Sequence, residues 1–129
     1  MKHWTNQYIG VPYSNMNCGE FAICIQREVF KKKYFRAPEH PKVENPFHYN
    51  IILEKNLINY LEKKIEKPVE GCCVLMKTMK RLTHVGVYTK IGRKDYVIHC
   101  LDSFKSSILH KIKDLTTYGI DVEGYYSWK

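Results

Sequence analysis

Residues 84–100 read HVGVYTKIGRKDYVIHC, and this stretch decides the fold. Two short runs rich in β-branched and aromatic residues, 84–90 and 96–101, flank Ile91-Gly92-Arg93-Lys94, a connection short enough for a β-hairpin. With the loop centred near Gly92, paired positions have numbers summing to about 183 or 185. At the first value His84 faces His99 directly. At the second they are diagonal neighbours on one face, roughly 7–8 Å apart. Both registers put the two imidazoles on the same side of the sheet.

Outward from the hairpin, segments 72–76 and 122–128 have the same short, turn-bounded character, and 107–112 is a further strand candidate. Upstream the pattern changes. In NCGEFAICIQREVF, residues 17–30, Asn17 is followed three positions later by Glu20, a capping-box arrangement. Apolar residues then recur at Phe21, Cys24, Ile25 and Val29, which predicts a helix running to Phe30 or Lys33. Residues 8–16 hold Gly10, Pro12, Ser14 and Asn15 and read as loop. Residues 34–48, with Pro38, Pro41 and Pro46, read as an irregular connection. A second helix is expected over 49–66, from Ile51, Leu53, Leu57, Ile58, Leu61 and Ile65. Helices followed by strands give an α+β class, with N-terminal helices packed on an antiparallel sheet.

The bulk numbers fit one domain spanning residues 1–129, with 44% apolar residues to form a core. No run is long enough to span a membrane. The N-terminus, MKHWTNQYIGVPY, lacks the apolar segment of a secretory signal, so the expected product is cytoplasmic as synthesised. Such a protein acts at a cell wall only if another machine delivers it. Lys and Arg number 21 against 13 Asp and Glu, a formal charge of +8. That field favours anionic partners such as nucleic acid, anionic lipid or a teichoic-acid-bearing wall, or serves solubility alone. The basic residues are scattered and no nucleic-acid-binding motif accompanies them, so nucleic acid is not an expected partner.

Five cysteines, an odd number with Cys72 and Cys73 adjacent, argue against a disulfide framework. Cys18 and Cys24 lie roughly 240° apart around a helix and cannot bridge each other. Of the five, Cys18 stands where chemistry is favoured. The N-terminus of a helix offers partial positive charge and free N–H groups, which stabilise a thiolate and could bind an oxyanion. A thiolate nucleophile needs a base that later protonates the leaving group, and His84 is the candidate. His99 would orient it as the third member of a triad. Cys24, inside the helix on the apolar stripe, reads as core.

These residues resemble the NlpC/P60 family of cell-wall cysteine peptidases. The likeness rests on YIGVPYSNMNCGEFAICIQREVF (8–30), GCCVLMKTMKRLTHVGVYT (71–89), YVIHC (96–100) and the closing VEGYYSW (122–128), in the family's order. The resemblance implies a papain-like fold with Cys18, His84 and His99 as the triad and Tyr13 lining the substrate groove. It implies hydrolysis of amide bonds in peptidoglycan stem peptides, with no metal and no organic cofactor. Three departures stand out. Asn17 replaces the usual Asp, Gly19-Glu20 replaces Ser-Gly, and Cys72 replaces an Asp after Gly71. Glu20 adds negative charge beside the nucleophile unless it folds back onto the helix start. The form NCGEF with a long following helix is similar to phage-tail and prophage members, which implies tail or delivery-machine proteins as partners. Three alternatives stay open: an amidase, deamidase or acyltransferase of the same fold on another substrate, a catalytically idle tail module, and a metal site built from Cys18, Cys72 or Cys73 with the histidines.

Overall fold

The computed structural model describes residues 3–14, 16, 18–32, 60–78, 84–101 and 104–129. Among them the core is a six-stranded sheet in the order β1-β6-β2-β3-β4-β5, with every neighbouring pair antiparallel. The strands are β1 (Leu61–Ile65), β2 (Cys73–Thr78), β3 (His84–Ile91), β4 (Lys94–Leu101), β5 (Ser106–Lys111) and β6 (Ile120–Trp128). One α-helix, α1 (Cys18–Glu28), packs on one face against β3 and β4. A 3-10 helix, Ile112–Tyr118, covers the other face and buries Leu115. This is a small mixed domain of helix and antiparallel sheet. No helix among the described residues is long and apolar enough to cross a membrane.

The hairpin follows the second of the two registers. Ile91 pairs with Lys94 and Val87 with Ile98, so the loop is the two residues Gly92-Arg93. Gly92 has φ +66 while Arg93 stays at negative φ, the sign pattern of a type II′ turn, whose twist matches its flanking strands. Alternation then sorts the side chains. Val85, Val87, Ile98 and Cys100 join Cys18, Phe21, Ala22 and Ile25 in the core under α1. Met76, Tyr88, Val97 and Leu101 join Leu115 and Ile120 in the core on the opposite face.

Helix α1 begins at Cys18 and stops at Glu28, short of the expected Phe30 or Lys33. The chain leaves it through Lys31 in the left-handed region, φ 58. The Lys31 ammonium donates to the Glu28 carbonyl at 2.8 Å, as suits the negative end of a helix. Asn17, the expected cap, lies outside the described residues, as does the connection expected at 34–48. Within the expected loop, the backbone near Pro12 instead runs along the edge of β5. Pro12 bridges Ser106, and Ser107 N–H donates to the Val11 carbonyl at 2.8 Å.

The second expected helix is corrected at its C-terminal end, where residues 61–65 form β1; residues 49–59 lie outside the described residues. Leu61 and Ile65 have the i, i+4 spacing of a helix face, and in a regular strand they would share one face. A bulge between Leu61 and Lys64 changes that parity, so Leu61 packs with α1 and Ile65 with the opposite core. Pairing with β6 overrides the local helical pattern, since β6 would otherwise present an open edge. The lysine-rich β1, with Lys63 and Lys64 exposed, is in turn a charged edge that discourages further pairing.

One carbonyl ties the layers together. Gly71 O accepts from Gln26 Nε2 of α1 and from Trp128 Nε1 of β6, each at 2.9 Å. Gly71 itself has φ +84, and a Cβ there would sit 2.6 Å from the Phe30 ring, so only glycine fits.

Candidate active site

The site is built from the starts and ends of elements. Cys18 is the first residue of α1, His84 the first of β3, and His99 lies two residues before the end of β4. Met16, two residues before the helix, accepts a hydrogen bond at its carbonyl from Cys100 Sγ at 3.2 Å. Cys100 neighbours His99, so α1 begins over the end of the sheet where β3 starts and β4 stops.

The structure brings the two expected histidines together. His84 Nε2 and His99 Nδ1 are 2.8 Å apart in a buried hydrogen bond, the diagonal contact that the observed register allows. Gly86 on β3 makes room for it, because a Cβ there would stand 3.0 Å from His99 Cβ. Sequence reasoning missed a third imidazole. His110 on β5 places Nδ1 2.9 Å from His99 Nε2, so three histidines form one hydrogen-bonded chain across three adjacent strands. The His110 ring stacks on Tyr118 with centroids 4.6 Å apart and meets the edge of Phe104 at 5.3 Å. Burial pushes the His99 pKa well below the ordinary histidine value, and the neighbouring His84 and His110 push it further down. Burial also lowers the His110 pKa, against an upward pull from Asp114. Near neutral pH, His99 is therefore an uncharged imidazole.

Alternation places Cys18 and the histidines differently. Cys18 is fully buried in the α1-face core, whereas the histidine chain runs along the face lined by Met76, Tyr88 and Leu101. The nucleophile candidate and the base candidate thus share one end of the sheet and approach it from different sides. Tyr13 is half-buried against the core that contains Cys18. Its backbone N–H donates to the Lys105 carbonyl at 3.0 Å, which fixes it beside the strand edge.

No family model, curated protein or solved structure gives a significant match to this chain. The chemistry therefore rests on the residues themselves.

The other four cysteines are poor nucleophiles. Burial pushes the Cys72 thiol up to about 11 and the Cys100 thiol up to about 12. Cys73 is held well above the ordinary thiol range by its complete burial. Cys24 is pushed to about 12, first by burial and then by its hydrogen bond to Glu28 at 2.8 Å. At neutral pH all four are thiols, and Cys18 at the helix start remains the candidate. All five are free of disulfides. The chain of imidazoles is also unlike a metal site, since His99 turns each ring nitrogen to a different neighbour. Among the described residues no group of three His, Cys, Asp or Glu is placed to hold a metal ion.

Proposed function

We propose that this chain is a cysteine hydrolase with a papain-like, NlpC/P60-type fold, cleaving amide bonds in peptidoglycan stem peptides. Cys18 is the nucleophile, His84 its base and His99 the residue that orients His84. The single observation that carries this reading is the buried His84–His99 hydrogen bond at the end of the sheet over which α1 begins. That bond uses Nε2 of His84, so Nδ1 is the nitrogen with which His84 can take a proton.

The reaction follows from these roles. Cys18 opens α1 and His84 opens β3 at the same end of the sheet, so the proton passes round that end: His84 Nδ1 accepts it from the Cys18 thiol, and the sulfur attacks the amide carbonyl carbon. Backbone N–H groups at the start of α1 hold the resulting oxyanion. His84 returns the proton to the leaving amine, leaving a thioester on Cys18. Water, deprotonated by His84, cleaves the thioester and restores the thiol. Tyr13, beside the core that holds Cys18, lines the approach for the stem peptide. Delivery-machine or phage-tail proteins are the partners that would bring such an enzyme to the wall.

A second reading is favoured by one observation, the complete burial of Cys18. A substrate carbonyl reaches a buried sulfur only when its cover opens, and a module with no such opening is a structural part without catalysis. Mass-spectrometric analysis of purified peptidoglycan fragments, incubated with wild type and with Cys18→Ala, separates the two. Stem-peptide products made by wild type and lost in the variant support the hydrolase. Identical spectra from the two proteins support the structural module.

A further inference from the structure

We propose that His110 is a positioning residue for this reaction: accepting a hydrogen bond at Nδ1, it sets the direction of the histidine chain and thereby the nitrogen of His84 that serves as base. The inference rests on the hydrolase reading and adds to it a residue beyond the triad.

A neutral imidazole has one N–H and one lone pair. His99 is neutral and contacts a histidine at each nitrogen, so it donates on one side and accepts on the other. Only two arrangements satisfy both contacts. In the first, His99 Nε2–H donates to His110 Nδ1, and His84 Nε2–H donates to His99 Nδ1. His84 then keeps a lone pair on Nδ1 and can deprotonate a thiol. In the second, His110 Nδ1–H donates to His99 Nε2, His99 Nδ1–H donates to His84 Nε2, and His84 carries its proton on Nδ1. That form of His84 cannot act as the base. One proton position at His110 therefore selects between a competent and an incompetent site two residues away.

The surroundings of His110 select the first arrangement. Its ring is held between Tyr118 and Phe104, which fixes the direction in which Nδ1 points. Its burial favours the neutral form, and the neutral side chain intrinsically prefers the proton on Nε2. The groups that face it are His99 from β4 and Asp114 and Tyr118 from the 3-10 helix. Protonating His110 would place a hydrogen on Nδ1 and force the second arrangement. Acid then switches the base off from the far end of the chain.

The test is long-range proton–nitrogen NMR on protein labelled with nitrogen-15 histidine, for wild type, His110→Asn and His110→Leu. Cleavage of purified peptidoglycan fragments is measured on the same samples. Wild type should show protons on Nε2 and none on Nδ1 of His84 and His99 at pH 7.5. His110→Asn, whose Oδ1 replaces the acceptor, should keep that pattern and most of the activity. His110→Leu should mix or reverse both tautomers and lower kcat by roughly ten- to hundredfold, with little change in KM. Wild-type tautomers retained in His110→Leu, or a proton on Nδ1 of His84 in wild type, overturn the proposal. If His110→Leu does not fold, the wild-type pH titration decides, because the His84 tautomer must reverse as His110 gains its proton. Correct tautomers with no cleavage by wild type would leave the chain's direction supported and remove the hydrolase reading.

Discussion

Gly86→Ala probes the close approach that lets the histidines meet. A Cβ built at position 86 lies 2.5 Å from Val97 Cγ2, 2.9 Å from the Ile98 carbonyl oxygen and 3.0 Å from His99 Cβ. Ordinary carbon contacts lie near ~3.5–4.0 Å, so the overlap with Val97 is on the order of 1 Å. Val97 is fully buried and β-branched, with few rotamers to retreat into. The Ile98 oxygen is backbone, so β4 itself has to shift. Overpacking of this kind costs about 1–3 kcal/mol. Gly86 does not need a left-handed φ, so replacing it restricts the unfolded chain and returns about 0.4–1 kcal/mol. The expected net loss is about 1–2 kcal/mol, read as a lower urea midpoint at unchanged slope. Thermal unfolding should show a Tm lower by roughly 3–6 °C for each kcal/mol. Equal or greater stability in the variant would refute the β3–β4 register and, with it, the contact between His84 and His99.

The remaining expectations concern pH and the site. His99 and His110 have pKa values below the ordinary histidine value in the folded protein, so the unfolded chain binds more protons as pH falls past about 6.5. Their contribution to stability is fully present above that pH and is lost below it, at a slope of up to about 1.4 kcal/mol per pH unit for each group. Urea titrations at pH 7.5, 6.5 and 5.5 measure this; a flat profile would contradict the neutral buried chain. His99→Ala should lower turnover of peptidoglycan fragments less than Cys18→Ala does, and equal losses would argue against an orienting role. Trp128→Phe removes one of the two donors to the Gly71 carbonyl and should cost about 1 kcal/mol in urea unfolding, whereas no loss would mean that Gln26 alone satisfies it.

The hairpin was legible because its side chains alternate and Gly92 marks the turn. Those two facts by themselves confine His84 and His99 to one face. The start of α1 was legible from Glu20 three positions after Asn17 and from the apolar spacing that follows, although Cys24, expected in the core, is only half-buried and turns its thiol to Glu28. Three features were hidden, each for a physical reason. Leu61 and Ile65 carry the spacing of a helix face in the sequence, and only the bulge in β1 sends them to different cores. His110 stood on an expected strand, but the β4–β5 connection left the register open, and only pairing of Val97 with His110 brings it diagonal to His99. The burial of Cys18 depends on how α1 seats against β3 and β4, which no local pattern encodes.

The central claim, that His84 activates Cys18, is tested most directly by alkylation kinetics. Wild type and His84→Ala are treated with iodoacetamide from pH 5 to 9, and each cysteine is followed by peptide mass mapping. The account predicts that Cys18 in wild type is modified far faster near pH 7 than Cys24, Cys72, Cys73 or Cys100, and that His84→Ala abolishes this advantage. Slow modification of Cys18, or a rate unchanged by loss of His84, would contradict it.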